Sequence, residues 1–343
     1  MNTQKHVAII GGGIAGMETA NQLSMAGFKV TLIEKEKTSG GHLTKWHHLF
    51  PDFSNPDELV SKLTSGLAKN GVKTIMHTEI TGIEKDNDHF TLKAGNELNV
   101  IADAVVISSG FNVFDATRKE EYGYGLFDNV ITSADLERMM RDKKITKKDG
   151  NPPKRIAIIH CVGSRDSKSG NTYCSKVCCI TGVKQAIEIN KMLPESEIFS
   201  FYMDLRLYGS SFDDLYLSAQ KQHNIQFIRG RLSEASENHD KSLQIKAEDT
   251  LSGRPLRMDV DMIVLLVGME AGKTHANLIK NNAILLDENK FFKSENIHTA
   301  RNRTTQPGVF MAGACTCPMS VNETIENARS AALELINYFK QGN

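Results

Sequence analysis

Short apolar runs alternate with longer stretches of helical periodicity along this chain, and glycines punctuate several of the joins. His6–Ile10 reads as a strand, Gly11-Gly12-Gly13 breaks it, and Ile14–Ala26 then spaces its apolar residues as a helix. Phe28–Glu34 makes the next strand and closes a strand–helix–strand unit. Ala104–Ile107 is a further short strand, and Ser133 is placed to N-cap a helix through Met140. The basic stretch Lys143 to Lys154 reads as an exposed connection. Arg155–His160, Ile198–Met203, Ile225–Ile228, Met262–Val267 and Val309–Ala312 read as more strands, with helices over 174–193 and 321–339. Strands alternating with helices predict an α/β fold with parallel sheets. The order of elements predicts two dinucleotide-binding-type domains, the second inserted in the first. The outer one is expected at 1–115 and 256–343, the inner at 116–255.

The first join carries chemistry. Gly11, Gly13 and Gly16 form G-x-G-x-x-G between a strand and a helix. The first glycine allows the tight turn, the second lets backbone approach a pyrophosphate, and the third lets helix pack on strand. Free amides and dipole at the helix start favour a phosphate. Glu34 ends the second strand, where an acid binds a ribose 2′-hydroxyl and disfavours a 2′-phosphate.

Four of the six cysteines fall between 161 and 179, as Cys161, Cys174, Cys178 and Cys179. Cys174 and Cys178 are four apart on the expected helix, which would put them on one face. Cys161 leaves the C-terminal end of a strand, where α/β sheets place ligands. Four thiolates are the normal ligand set of a 4Fe–4S cluster. Structural zinc prefers C-x2–4-C pairs, and it stays open here beside buried or paired thiols. Cys315-Thr316-Cys317 is too close-set for an unstrained disulfide, so spare thiols are favoured over a redox pair. His42, His47 and His48 surround Trp46 with no evident converging spacing, so a flavin-lining or surface loop is expected rather than a metal site.

Composition narrows the partners. The 343 residues carry 41 Lys plus Arg and 41 Asp plus Glu, so no net charge draws the chain to nucleic acid or an anionic membrane. No apolar run is long enough for a membrane span, and the start lacks a secretory apolar region, so a cytoplasmic location is expected.

Glu34-Lys35, Gly40-Gly41-His42-Leu43, Ser108-Ser109-Gly110 and Pro307-Gly308-Val309-Phe310-Met311-Ala312-Gly313 resemble the flavoproteins of the thioredoxin and glutathione reductase class. That resemblance implies a thioredoxin reductase-like fold and FAD. It would place Gly11, Gly12, Gly13, Ile14, Ala15, Gly16, Glu34, Lys35, Gly41, His42, Ile80, Ser109, Gly110, Gly313 and Val321 at the cofactor. Thr78-Glu79-Ile80 would be a strand beside the adenine, and the helix starting at Val321 would aim its amides at the flavin. Ala314 stands where the class usually has Asp, which removes one polar contact. After Arg155–His160 the class places a second glycine fingerprint for NAD(P)H, and here only Gly163 could serve.

Ile158-Ile159-His160-Cys161-Val162-Gly163-Ser164-Arg165-Asp166, leading into Tyr173-Cys174-Ser175-Lys176-Val177-Cys178-Cys179, is similar to the A-type polypeptide of heterodisulfide reductases. Asp204-Leu205-Arg206, Tyr208-Gly209 and Phe227-Ile228-Arg229-Gly230-Arg231 carry the same likeness. The resemblance implies a 4Fe–4S cluster on Cys161, Cys174, Cys178 and Cys179. The ferredoxin modules of the long methanogen forms are missing, which resembles the short form in bacterial sulfur-oxidising heterodisulfide reductase-like complexes. The implied function is an electron-transfer subunit in sulfane-sulfur oxidation, with other heterodisulfide reductase-like subunits as partners, a homodimer core and NAD as an open choice of acceptor. Two rivals stay open: a stand-alone NAD(P)H-dependent disulfide reductase, and a non-catalytic scaffold.

Overall fold

His6–Ile10 (β1) is apolar at four of five positions because both faces of its sheet are covered, one by helices and the other by an antiparallel layer. The computed structural model describes residues 4–86, 88–95, 99–208, 210–279 and 284–342. Gly209 lies outside them. The chain divides into two units, one of Met1–Thr44, Pro56–Asn112 and Glu270–Asn343, the other of Lys45–Asn55 and Val113–Met269.

In the first unit, α1 (Ile14–Met25) follows β1 and leads to β2 (Lys29–Ile33). α2 (Pro56–Lys69), β3 (Lys73–Ile75) and β7 (Ala104–Ile107) follow, and β18 (Val309–Met311) and α7 (Val321–Lys340) close the unit. The five strands form a parallel sheet in the order β18-β7-β1-β2-β3. β4 (Ile80–Asp86), β5 (His89–Ala94) and β6 (Asn99–Ala102) make an antiparallel layer. Its inward side chains, Ile83, Phe90 and Leu92, join Val105, Ile107 and Met311 in one core. The expected strand Thr78-Glu79-Ile80 is not one. Only Ile80 is in a strand, and the Thr78 amide turns to the Glu34 carbonyl.

In the second unit, β9 (Val130–Thr132), β10 (Arg155–Val162), β11 (Glu197–Tyr202), β12 (Gln226–Arg229) and β16 (Met262–Val267) form another parallel sheet, ordered β12-β11-β10-β16-β9. α3 (Ser133–Arg141), α4 (Cys178–Met192) and α5 (Ser210–Lys221) accompany it. β13 (Leu232–Glu237), β14 (Leu243–Asp249) and β15 (Arg254–Val260) form an antiparallel meander. The short strands β8 (Phe111–Val113) and β17 (Met269–Ala271) lie where the chain passes between units, and α6 (His275–Leu278) is a single turn.

Three expectations change. The outer unit resumes at Glu270 rather than 256, because β15 pairs with β14 and β16 with β10. α3 is capped by Thr132, not Ser133: the Thr132 side chain accepts the Asp135 amide and Asp135 answers the Thr132 amide. The helix expected over 174–193 starts at Cys178, so Cys174 is not on it.

Candidate cofactor and cysteine sites

In the first unit the glycine turn is fixed by contact. Gly11 has φ +108°, and a Cβ on Gly16 would stand 1.9 Å from the Gly11 carbonyl oxygen. Nothing lies within 4 Å of the Cβ position of Gly13, the N-cap of α1, which has no side-chain cap. The first-turn amides of Ile14 and Ala15 therefore begin a helix next to open backbone.

Glu34 is buried, and its carboxylate faces this turn. Oε2 accepts the Gly12 amide and Oε1 accepts the Glu36 amide at 2.8 Å. A carboxylate offers about four acceptor positions, so capacity remains for a hydroxyl. The Gly40 amide bonds the Gly12 carbonyl at 2.8 Å, and Gly40 bridges Gly13, which lays Gly40-Gly41 against the fingerprint. Lys35 is exposed beside it.

Three more expected residues converge on the sheet's C-terminal edge. Ser109 Oγ is buried with no hydrogen-bond partner among the described residues, as a hydroxyl awaiting a polar ligand would be. Gly110 has φ +69° and an open Cβ side. The Gly313 amide donates to Asn327 Oδ1 at 2.7 Å, a partner on α7 that no motif in the sequence pointed to. Ser320 and Glu323 form a capping box across the first turn of α7, which takes up the Glu323 amide. His42 stacks on Phe111 at 4.2 Å, with its Nε2 3.0 Å from the Phe111 carbonyl oxygen, so its ring is held in place. Ile80 is buried in the core.

In the second unit the ladder between β10 and β16 shifts register between Ile159 and Val162. Cys161 sits in that bulge at φ +60°. One extra residue re-aims a side chain at a strand end. Cys161, Cys178 and Cys179 are buried, and Cys178 is hydrogen-bonded to the sulfurs on either side of it. Cys178 keeps its proton, pushed up by those bonds. Its bond to Cys161 holds that thiol below the ordinary range, and its bond to Cys179 takes Cys179 down to about 4 against burial, with help from His160. α4 starts here with an uncapped N-terminus, no acid in its first turn and amides that favour thiolate charge.

Cys174 lies on the loop before α4 rather than on the helix, with its sulfur beside Arg206. The loop is pinned by Ser175, which accepts the Met269 amide at 2.9 Å, and by Tyr173, which donates to the Met269 carbonyl at 2.8 Å. The Lys176 amide donates to Cys174 Sγ at 3.3 Å. Arg165 and Lys176 hold left-handed φ of 54° and 64°. Arg165 and Arg206 pair with Asp204 at 2.5 and 3.1 Å; burial works against the Asp204 charge, yet the two guanidinium groups keep its carboxyl below the usual range.

All six cysteines are free thiols. Among the described residues, His47, His48 and Glu188 form a group whose ligand atoms all lie within 4.8 Å of one another. Four thiols are a donor set that a 4Fe–4S cluster takes, and structural zinc takes the same set. The converging His47 and His48 correct the expectation that no metal-type spacing exists in this loop. The missed signal was Lys184-Gln185 and Glu188, buried polar residues on α4. Cys315 lies fully buried, and its thiol is pushed up to about 12 by that burial, which leaves it inert at neutral pH.

The sequence pattern of the pyridine nucleotide-disulphide oxidoreductase family matches residues 5–163 and 178–333. The stretch between the two matches carries Cys174. The A-type polypeptide of the H(2)/formate:CoB-CoM heterodisulfide,ferredoxin reductase of Methanococcus maripaludis is 30% identical, covering 100% of this chain and 65% of the relative. The A-type iron-sulfur polypeptide of the CoB--CoM heterodisulfide reductase of Methanocaldococcus jannaschii is 29% identical, covering 97% and 64%. The chain thus spans just under two thirds of these relatives. The thioredoxin reductase of Lactococcus lactis superposes with a TM-score of 0.70 at 19% identity, covering 98% of this chain and 100% of that one. That of T. acidophilum gives 0.69 at 19%, covering 99% and 100%. The fold is thioredoxin reductase-like.

Proposed function

The chain belongs to the pyridine nucleotide-disulphide oxidoreductase family, and from that premise we propose that this oxidoreductase is the FAD- and 4Fe–4S-bearing electron-transfer subunit of a heterodisulfide reductase-like complex. A flavin exchanges electrons in pairs and an iron–sulfur cluster one at a time, so the two groups together supply a change between pair and single transfer. The chain's own residues do the holding. In the first unit, Gly11, Gly13 and Gly16 bring backbone to a pyrophosphate, Glu34 accepts a ribose hydroxyl, and Ser109 Oγ finds its missing partner. In the second, Cys161, Cys174, Cys178 and Cys179 hold iron, and the uncapped start of α4 favours their charge.

The observation that carries this reading is the bulge at Cys161, which sets a thiol where a nucleotide-binding relative needs an open glycine turn. The likeness to polypeptides named for heterodisulfide reductase supports partner subunits of that kind. No thiol-substrate site is apparent among the described residues, so sulfane-sulfur oxidation would fall to those partners, with this chain passing electrons on, NAD being one acceptor.

The test is anaerobic purification with metal and flavin analysis. The expected result is one FAD, about four iron atoms per chain and a reducible electron paramagnetic resonance signal. Cys178→Ser should lose the iron and keep the flavin. A flavoprotein with no iron, or with zinc in its place, would overturn the proposal.

A further inference from the structure

Outside both sites, the segment 45–55 carries two imidazoles onto the middle of α4. His48 Nδ1 stands 2.7 Å from Glu188 Oε1, and the rings of His47 and His48 lie 3.9 Å apart at 40°. One ligand atom from each of His47, His48 and Glu188 falls within 4.8 Å of the others. Glu188 is almost fully buried, while both histidines are partly open to solvent. A buried carboxylate beneath two accessible imidazoles is an unusual arrangement for a mere surface pair.

The surrounding charges decide what the group can take. Lys184 Nζ bonds Glu137 Oε1 at 2.6 Å and the His48 carbonyl at 3.0 Å, and it stands 3.2 Å from Glu188 Oε2 without a hydrogen bond. Glu137 also accepts the His47 amide at 2.8 Å and the Gln185 amide group at 2.7 Å. Lys184 thus stands between two carboxylates, Glu137 and Glu188, and one lysine charge answers only one of them. Burial, with His48 and Lys184 beside it, keeps His47 neutral below its ordinary range, and burial raises Glu188. Arg141 is turned away to the Trp46 carbonyl at 2.7 Å.

We propose that His47, His48 and Glu188 form a binding site for one divalent transition-metal ion, of the borderline class that zinc represents. Two imidazoles and a carboxylate suit that class, whereas calcium or magnesium would need more oxygen donors. Three protein ligands leave a fourth position for water. Binding replaces the contact between His48 Nδ1 and Glu188 Oε1 by a bond from each group to the ion, with the imidazole proton carried on Nε2. The ion then ties segment 45–55 to the helix that begins with Cys178.

The experiment is zinc added to the purified full-length chain, followed by desalting, metal counting and X-ray absorption at the zinc edge. One zinc per chain with a nitrogen and oxygen shell is expected. His47→Ala and His48→Ala, both on a partly exposed loop, should each weaken binding by roughly tenfold or more. Glu188→Gln should do the same if its thermal unfolding midpoint without zinc stays near that of the parent chain. No retained zinc, or undiminished binding in both histidine variants, would overturn the proposal. Zinc taken up by empty cysteines would add a sulfur shell that the histidine variants leave unchanged, so the two sites are read apart.

Discussion

Gly163 backs directly onto the ring of Phe114: a Cβ on this glycine would stand 2.1 Å from Phe114 Cγ. The one glycine that could have begun a nucleotide loop after β10 is spent on aromatic packing instead, at φ +74°. Phe114 is buried in the core of the second unit with Val162, Phe199 and Leu265. Gly163→Ala should destabilise the protein by about 2 kcal/mol or more, from both the left-handed backbone and the clash. Phe114→Ala should cost about 3–5 kcal/mol. In the Phe114→Ala background Gly163→Ala should cost less than alone, as contacting residues are not additive. Urea unfolding of the four proteins measures this, and strict additivity would refute the packing argument.

The first fingerprint should be as sensitive in a different way. A Cβ on Gly16 has no room against the Gly11 carbonyl and would stand 2.6 Å from Ser108 Oγ. Gly16→Ala should therefore push α1 off the sheet and weaken FAD retention by roughly tenfold or more, about 1.4 kcal/mol. Gly82→Ala, where an added Cβ meets nothing, is the control. Flavin absorbance after gel filtration reads both, and equal flavin in the two variants would count against the assigned site.

His275 predicts a pH dependence. It is fully buried and packs on Phe292 at 4.3 Å, and burial lowers its pKa to about 4, partly offset by the carbonyls of Lys290 and Gly110. A base depressed on folding contributes stability above its ordinary value of 6.5 and loses it as pH falls toward 4, where the unfolded chain alone is protonated. The loss should reach roughly 3 kcal/mol. Chemical denaturation between pH 7 and pH 4 should show this acid limb, and His275→Gln should flatten it. An unchanged slope in the variant would remove His275 as the cause.

Much of the scaffold could be read from residues. Ala104–Ile107 is a strand with those bounds, and α1 and α7 lie where apolar spacing put them, because burial on one stripe leaves a periodic trace; α4 ends near its expected end but starts four residues later. What could not be read depended on partners distant in sequence. Met262–Val267 is apolar enough for either sheet, and only its pairing with β10 assigns it. Cys174 followed the helix pattern because Ser175 and Lys176 do not announce the turn that a left-handed Lys176 makes. The His47 and His48 pair meets Glu188 across 140 residues, a distance that no local spacing rule spans.

The polar seam along α4 has a mechanical consequence. Lys184, Gln185 and Glu188 bind Glu137, the Ser133 carbonyl, the His48 carbonyl and His48 itself from inside the protein. Sliding this helix by even a fraction of a turn would strand several charges away from water. A cluster held at Cys178 and Cys179 as proposed would be mounted on a support that cannot relax far, and stiffness of that kind would keep the reorganisation accompanying each transfer small.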